Sequence, residues 1–264
     1  MKKYLVIGNP IEHSLSPKLH NYWIKENNID AVYEKQQINE NEIKFPLVEL
    51  AMGRVGGINV TVPFKKKIIP FLDELTYFAK KTQSVNTIYK KKNKIVGDNT
   101  DVTGFNYALQ HIKYSVKGKK IFILGAGGVT PSIIFALKQM DASTIMLSNR
   151  TREKAENLKK IYPYLDLIKW GDIKNFDMII NTTSLGLKEN DKIQLNYDEI
   201  GSGKFFYDVI YNPNQTKFLS KARQFGNQIE NGKMMFIYQA HQAFTIWHKV
   251  MPKIDEETIK LLDL

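Results

Sequence analysis

The sequence predicts a two-domain α/β protein. Short apolar runs rich in β-branched residues alternate with helical stretches along the first hundred residues. A second series begins near residue 118 with a buried strand, a glycine-rich turn and an apolar helix. Alternation of this kind is typical of folds in which helices cover a mainly parallel sheet. The length of 264 residues also corresponds to roughly two domains of about 150 residues each.

Composition excludes several classes of protein. Hydrophobic residues make up 43% and charged residues 25% of the chain, which is ordinary for a folded globular protein and not for a disordered or collagen-like one. Cysteine is absent. We therefore expect no disulfides and no cysteine nucleophile, and a thiolate metal site is excluded. No bound metal is expected.

The net charge of +11 raises the question of a nucleic-acid partner. Its lysines lie in short scattered clusters without an arginine-rich arm, so a solvated surface that attracts anionic small molecules is favoured. The apolar run at residues 4–7 is too short for a signal-peptide core. No window approaches the roughly 18 apolar residues of a membrane span. We expect a cytoplasmic protein that binds neither nucleic acid nor a membrane.

The first domain is predicted to contain a mixed series of strands and helices. The expected strands are 4–7, 32–36, 57–62 and a hairpin of 85–89 with 94–97; the expected helices are 17–27 and 73–81. The second domain is predicted as a βαβ series with a mainly parallel sheet. Its expected strands are 121–124, 144–148, 177–181 and 205–209, with helices through 137 and at 152–162.

Two C-terminal helices, at 234–250 and 255–262, are expected to pack back on the first domain. We therefore assign residues 1–101 plus 237–264 to a substrate-binding and catalytic domain. Residues 102–236 are assigned to a Rossmann-like nucleotide-binding domain.

A glycine-rich turn indicates a dinucleotide site in the second domain. The turn has the sequence Gly125-Ala126-Gly127-Gly128-Val129-Thr130 and lies between a strand and a helix. In a Rossmann fold the first glycine permits the tight turn, and the second lets the backbone approach a pyrophosphate at the helix N-terminus. Thr130 stands where glycine or alanine is usual, so a purely structural turn is the alternative.

The end of the next strand favours NADP over NAD. An NAD site places Asp or Glu about 20 residues after the turn, where it binds the ribose hydroxyls. Here residues 148–152 are Ser-Asn-Arg-Thr-Arg, and the first acid is Glu153. An arginine binds a 2′-phosphate with its planar guanidinium, whereas a carboxylate repels it. A basic helix start without a ligand is the alternative.

Three short motifs in the first domain place polar groups at the ends of predicted strands. Ser14 and Ser16 lie two residues apart, so in an extended segment their hydroxyls point the same way and can bind a carboxylate or polyol. Thr61 and Lys65 follow a buried strand. Asp101 can exchange protons with a lysine, or can cap a helix. Each motif alone also has a structural explanation.

In this order, these motifs resemble the shikimate dehydrogenase family over nearly the whole chain. The combination of Ser-x-Ser-Pro at 14–17, Asn-Val-Thr-x-Pro-x-Lys at 59–65 and Asn-Thr-Asp at 99–101 is highly specific. The other motifs that carry the resemblance are Val85-Asn86-Thr87, Asn181-Thr182-Thr183-Ser184-Leu185-Gly186-Leu187, Tyr207-Asp208-Val209-Ile210-Tyr211-Asn212-Pro213 with Thr216, Asn231-Gly232, Met235 and Gln239-Ala240.

The resemblance implies the NADPH-dependent, reversible reduction of 3-dehydroshikimate to shikimate, on the route to chorismate and the aromatic amino acids. It implies Lys65 and Asp101 as the catalytic pair. The implied substrate ligands are Ser14, Ser16, Thr61, Lys65, Asn86, Asp101, Tyr211 and Gln239. The implied NADP ligands are Gly125, Ala126, Gly127, Gly128, Val129, Asn149, Arg150, Thr151, Arg152, Lys154, Val209, Gly232 and Met235. Of these, Val209 and Gly232 are implied to border the nicotinamide, with Met235 nearby.

Several positions depart from the family pattern. They are Gln83-Ser84 in place of Gly-Ala, Thr130-Pro131-Ser132 at the helix start, Tyr77 in place of an acid, Met234 in place of glycine, and Leu187 in place of methionine. The departures at 83–84 and 234 bear on loop shape near the substrate and the nicotinamide.

Other functions compete with this one. A quinate/shikimate dehydrogenase that uses NAD as readily as NADP is the nearest, although the sequence after residue 148 favours NADP and Ser16, in place of threonine, favours shikimate. A non-catalytic ligand sensor on the same fold is a different class of function, against which the presence of both Lys65 and Asp101 speaks. A homodimer and a monomer both fit the resemblance.

Overall fold

The computed structural model describes residues 1–263, which form two compact units. The first unit comprises Met1–Phe105 and Ile237–Asp263, and the second comprises Asn106–Phe236. The sequence-based domain boundaries after residues 101 and 236 stay a prediction. The range 237–264 ends on a residue outside the described part of the chain.

The first unit is built on a mixed six-stranded sheet with the order β2-β1-β3-β5-β6-β4. Its strands are β1 (Lys2–Gly8), β2 (Ala31–Gln37), β3 (Val55–Val60), β4 (Glu74–Leu75), β5 (Thr87–Lys91) and β6 (Lys94–Asp98). Strands β2, β1 and β3 are parallel, whereas β5 runs antiparallel to both β3 and β6. Strands β1 and β3 are mostly buried and largely apolar, as expected for strands covered on both faces, whereas the outer strand β2 is exposed and polar over residues 34–37.

The helices that follow along the chain are α1 (Ser16–Glu26), α2 (Lys44–Ala51), α3 (Tyr77–Thr82) and α4 (Asp101–His111). An aliphatic core that includes Leu5, Ile58 and Leu50 forms under α2 on one face of the sheet. Burial of such side chains stabilises the unit by about 1.5–3 kcal/mol each.

The second unit contains a six-stranded sheet in which all paired neighbours are parallel. Its strands are β7 (Lys120–Leu124), β8 (Thr144–Ser148), β9 (Leu165–Ile168), β10 (Met178–Asn181), β11 (Phe205–Asp208) and β12 (Gln228–Glu230); its helices are α5 (Thr130–Gln139), α6 (Arg152–Ile161), α7 (Tyr197–Ile200) and α8 (Lys217–Gln224). Numbered within the unit, the strand order is 3-2-1-4-5-6, which is that of the Rossmann fold.

Helices α9 (Lys233–His248) and α10 (Glu256–Lys260) end the described chain. The part of α9 that belongs to the first unit contacts its sheet, because the Trp247 indole donates to the Ile88 carbonyl at 3.1 Å. The Trp23 indole in α1 donates to the carbonyl of Lys253, just before α10, at 3.0 Å. The predicted return of the C-terminal helices to the first unit is confirmed, as is the two-part α/β fold class.

Part of the predicted secondary structure was wrong or incomplete. The helix expected at 73–81 begins only at Tyr77, because residues 74–75 pair with β6 as the short strand β4. Helix α2 was not predicted, because it is apolar on several sides and has a proline in its first turn. The other unpredicted elements are α4, β9, α7, α8 and β12. None of the helices in the described chain is both long and apolar enough to cross a membrane.

A buried histidine lies in the aromatic layer between α1 and the sheet of the first unit. The His20 ring stacks on the Tyr33 ring with centroids 4.1 Å apart and planes 5° from parallel. Neither ring nitrogen of His20 has a hydrogen-bond partner among residues 1–263. Burial, together with the nearby charge of His248, lowers the pKa of His20 to about 3. His20 is therefore neutral in the folded protein at physiological pH.

We predict that the free energy of unfolding falls as the pH drops below 6.5. The unfolded chain protonates His20 near pH 6.5, whereas the folded pKa is about 3, so the unfolded state gains the proton first and stability is lost across this window. One such proton contributes about 1.4 kcal/mol per pH unit. Urea unfolding at pH 7.5, 6.5 and 5.5 measures this slope. The variant His20→Phe keeps an aromatic ring and should reduce the slope by about one proton; an unchanged slope would contradict the assignment.

Candidate functional site

One edge of the first sheet gathers the segments that carry most predicted substrate ligands. Strands β1 and β3 are parallel neighbours, so the loops after them begin side by side. The main-chain amide of Asn9 donates to the main-chain carbonyl of Val62 at 3.0 Å. Antiparallel β5 begins at the same edge, where the Val60 amide donates to the Asn86 carbonyl at 2.8 Å. Strand β6 ends there, since the Asn86 amide donates to the Asp98 carbonyl at 3.0 Å.

Lys65 and Asp101 form an ion pair at this edge. The Lys65 Nζ donates to Asp101 Oδ2 at 2.6 Å, and the two side chains are only 12% and 6% exposed. The Lys65 backbone is tied to the start of β5, because its carbonyl accepts from the Val85 amide at 2.8 Å. Asp101 is the first residue of α4. A partly desolvated pair with this geometry interacts more strongly than a surface salt bridge.

Asn86 connects the ion pair to the neighbouring predicted ligands. Its Nδ2 donates to Asp101 Oδ1 at 2.9 Å and to Thr100 Oγ1 at 2.9 Å, and lies 3.4 Å from Gln239 Oε1. Its Oδ1 accepts from the Thr100 amide at 2.8 Å. The structure thus brings Lys65, Asn86, Asp101 and Gln239 into one cluster.

The remaining predicted substrate ligands occupy other segments. Ser16 is the first residue of α1, and its amide donates to Ser14 Oγ at 3.3 Å. Thr61 follows β3 directly, and its amide donates to the Ile7 carbonyl at 2.9 Å. Tyr211 belongs to the second unit, where its ring stacks on Phe236 with centroids 4.3 Å apart.

In the second unit, the glycine-rich turn follows β7 at the point where the strand order reverses. Gly125 has a φ of +109°, which only glycine adopts readily. A Cβ at this position would lie 2.7 Å from Thr182 Oγ1, so the loop after β10 packs directly on the turn. Open α/β sheets bind ligands at this switch point, outside the carboxyl ends of the strands.

The threonine at the last position of the turn has a structural role. The Thr130 hydroxyl is fully buried and lies 2.8 Å from Thr182 Oγ1 and 3.2 Å from the Gly125 carbonyl. Thr182 Oγ1 in turn donates to the Leu124 carbonyl at 2.9 Å. Thr130, which replaces the usual small residue, therefore links the glycine turn to the loop after β10 and leaves the turn geometry intact.

The predicted adenosine-phosphate segment follows β8. Asn149 Oδ1 accepts from the Ala126 amide at 3.0 Å and joins this segment to the glycine turn. Arg150 and Lys154 are exposed, and Arg152 is mostly exposed although it pairs with Glu156 at 3.1 Å. The ends of these side chains can move to meet a phosphate, while Asn149 is held in place.

Gly232 lies against the backbone that follows β11. Its amide donates to the Ile210 carbonyl at 3.1 Å, and a Cβ at this position would lie 2.1 Å from the Val209 carbonyl oxygen. Met235, on the first turn of α9, is buried, and so is Met234. Three residues that were predicted to border the nicotinamide thus belong to closely packed segments of the second unit.

Two family models match the chain. The model described as "Shikimate dehydrogenase substrate binding domain" covers residues 6–88, and "Shikimate / quinate 5-dehydrogenase" covers residues 107–193. A shikimate dehydrogenase (NADP(+)) from Pelagibacter ubique is 58% identical over 263 residues, which span 100% of this chain and 99% of that protein. The chain belongs to the shikimate dehydrogenase family. The resemblance on which the sequence-based function rests is thereby confirmed.

Solved structures of this family have the same fold as the chain. The crystal structure of shikimate dehydrogenase from Aquifex aeolicus has a TM-score of 0.91 at 38% identity, covering 99% of this chain and 97% of that one. The Thermus thermophilus enzyme, in complex with NADP(H) and shikimate, has a TM-score of 0.89 at 26% identity, covering 99% and 98%. The NADP(+) in the name of the Pelagibacter relative agrees with the cofactor that the sequence predicts.

Sequence reasoning did not single out two buried residues whose hydrogen bonds shape the candidate site of this family member. Asp208 is buried at the end of β11, where it accepts from Thr216 Oγ1 at 2.7 Å, from Asn181 Nδ2 at 3.0 Å and from the Ile210 amide at 3.1 Å. Burial raises the pKa of Asp208 to about 6, although these hydrogen bonds lower it. Asn59 is the other such residue. Both stand inside motifs that were noted, but a strand pattern does not reveal which side chains are hydrogen-bonded.

We predict that Gly232→Ala destabilises the protein by more than about 2 kcal/mol and weakens NADP+ binding. The added methyl group cannot be accommodated 2.1 Å from the Val209 carbonyl oxygen, so the backbone beside the predicted nicotinamide position must shift. Urea unfolding and calorimetric titration with NADP+ measure the two effects.

Gly127→Ala is the matched control for stability. A Cβ at Gly127 meets only the Thr182 carbonyl at 3.6 Å, an ordinary contact. Its free energy of unfolding should stay within about 1 kcal/mol of wild type. An equal loss of unfolding free energy in both variants would show that the close approach of Gly232 to Val209 does not cause the destabilisation.

Proposed function

We propose that this chain catalyses the reversible, NADP-dependent reduction of 3-dehydroshikimate to shikimate. The observation that carries the proposal is the buried pair of Lys65 and Asp101, 2.6 Å apart, among polar side chains that suit a hydroxylated acid. Family membership supports the reaction class. The cytoplasmic location expected from the sequence remains part of this proposal.

The first unit supplies the groups that would bind the substrate. Asn86 and Gln239 offer amide donors and acceptors for ring hydroxyls beside the ion pair. Ser14 and Thr61 lie on the loops after β1 and β3, and Ser16 begins α1 after the first of these loops. Their hydroxyls can donate to the carboxylate or ring oxygens. We propose that Tyr211 of the second unit adds a further hydroxyl.

The second unit fits a dinucleotide. Its turn is shaped by Gly125 in a conformation that glycine favours, and α5 begins directly after it, so backbone amides and the helix dipole can stabilise a pyrophosphate. The segment after β8 presents basic side chains and no carboxylate before Glu153, which suits a 2′-phosphate. We therefore assign Gly125 to Val129 to the pyrophosphate and Asn149 to Lys154, apart from Glu153, to the adenosine phosphate.

Proton transfer falls to Lys65. When bound, NADPH supplies a hydride to the C3 carbonyl carbon of the substrate. The Lys65 ammonium can give a proton to the oxygen that becomes negative, and in the reverse direction the amine accepts it. Asp101 accepts a hydrogen bond from Lys65 Nζ and so fixes the direction of the ammonium group.

We predict that Lys65→Ala lowers kcat by at least about 100-fold while shikimate binding is largely retained. General acid–base groups contribute about 10²–10⁴-fold to rates, and other side chains still bind the substrate. Initial rates of NADP+ reduction measure kcat, and calorimetry on the same variant measures shikimate affinity.

The neighbouring lysine provides the control. Lys66 is exposed, so Lys66→Ala should leave both kcat and shikimate affinity unchanged. Near wild-type turnover in Lys65→Ala would remove Lys65 from the mechanism.

Substrate and cofactor choice are tested by four initial-rate assays: shikimate or quinate, each with NADP+ or NAD+. We expect turnover to be largely confined to shikimate with NADP+, because the segment after β8 carries Arg150 and Arg152 and has no carboxylate before Glu153. Comparable rates with quinate or NAD+ would establish the broader quinate/shikimate activity instead. Absence of turnover in all four assays by folded protein would favour a ligand-sensing role.

A further inference from the structure

We propose that Tyr33 is a positioning residue for the catalytic pair, acting through Asn59 and Asn86. The proposal rests on the proposed function, in which Lys65 and Asp101 carry out proton transfer. Tyr33 lies on β2, two strands away from β3, and was not singled out by any sequence motif.

Hydrogen bonds join Tyr33 to the ion pair by way of Asn59 and Asn86. The path enters Asn86 at its main-chain carbonyl and leaves from its side-chain amide. The Tyr33 hydroxyl donates to Asn59 Oδ1 at 2.7 Å. Asn59 Nδ2 donates to the main-chain carbonyl of Asn86 at 2.9 Å and to Thr87 Oγ1 at 3.1 Å. Asn86 Nδ2 then donates to Asp101 Oδ1 at 2.9 Å, while the other carboxylate oxygen accepts from Lys65.

Burial makes these contacts hard to replace. Tyr33, Asn59 and Asn86 are 1%, 6% and 2% exposed, so water cannot readily substitute for a lost partner. A buried acceptor without a donor costs about 1–3 kcal/mol. The Tyr33 hydroxyl therefore favours the orientation in which Asn59 presents its oxygen to Tyr33 and its NH2 group to Asn86.

Tyr33 is itself held in place through both its backbone and its ring. Asn21 clamps the backbone of Tyr33, because its Nδ2 donates to the Tyr33 carbonyl at 2.9 Å and its Oδ1 accepts from the Tyr33 amide at 2.8 Å. The His20 ring stacks flat against the Tyr33 ring. A hydroxyl fixed in this way is a rigid reference point for Asn59 rather than an adaptable contact.

The consequence for the reaction follows from the position of Asn86. Both oxygens of Asp101 are engaged, one by Asn86 and the other by Lys65. If Asn59 loses its orientation, the start of β5 and with it Asn86 can shift, and the Asp101 carboxylate turns. Small displacements of catalytic groups reduce rates strongly.

The first test is Tyr33→Phe, which removes only the hydroxyl. Measured well below the unfolding temperature, kcat/KM for shikimate should fall about tenfold, corresponding to about 1.4 kcal/mol, whereas KM for NADP+ should not change. Tyr22→Phe is the matched control, because the Tyr22 hydroxyl bonds to Glu257 at 3.2 Å at the surface of the same unit. It should retain wild-type kinetics.

A double-mutant cycle shows whether Tyr33 acts through Asn59. If it does, adding Tyr33→Phe to Asn59→Ala should cause no further loss of kcat/KM. An additive loss would overturn the proposed path. So would a Tyr33→Phe enzyme that is less stable but kinetically normal, since this outcome indicates a structural role alone.

NMR of the side-chain amide of Asn86 tests the same link without turnover. Tyr33→Phe should shift the Asn86 NH2 signals, and Tyr22→Phe should not. Unchanged signals in Tyr33→Phe would overturn the proposal, whether or not Asn59→Ala folds. A wild-type protein without shikimate turnover, but with shifted Asn86 signals in Tyr33→Phe, would instead count against the proposed function alone.

Discussion

The first unit depends on one buried carboxylate that must have two partners. Asp101 lies where solvent can barely reach it, and an unpaired charge there would be strongly destabilising. Lys65 provides the opposite charge and Asn86 provides the second donor. Because these residues come from a loop, a strand start and a helix start, satisfying the carboxylate fixes three segments at once. The contacts that stabilise the carboxylate are also the ones that the proposed proton transfer requires.

The second unit uses side-chain hydrogen bonds for a similar purpose. The hydroxyls of Thr130 and Thr182 join its glycine turn to the loop after β10, and the Asp208 carboxylate joins the ends of β10 and β11 through Asn181. Within residues 1–263, no group of three or more acidic or histidine side chains is arranged to hold a metal ion. The basic side chains after β8 remain mostly exposed. The positions that would surround the dinucleotide are thus rigid where backbone approaches it and adaptable where charge is needed.

The sequence predicted the fold class from local signals, whereas the pairing of Lys65 with Asp101, 36 residues apart, was predicted only through the resemblance to the family. Strand and turn patterns located β7, the glycine turn and α5, and the order of short motifs revealed the family. Long-range partners were not predictable in this way. The hydroxyl of Tyr33 donates to Asn59, which is 26 residues away in sequence. The first residues of the helix expected at 73–81 instead form a strand that pairs with β6. Such outcomes are decided by tertiary hydrogen bonds, which compete with local propensity and leave no periodic trace.

The close approach of Gly232 to the main chain of Val209 restricts which residue can stand at position 232. The atoms that a Cβ at 232 would meet first are all main-chain atoms of Val209, so exchanging the side chain at 209 would not make room for one. Residue 232 is consequently held to glycine by the backbone of residue 209, whatever side chain stands there. Over evolutionary time, substitution at 209 leaves the demand for glycine at 232 unchanged.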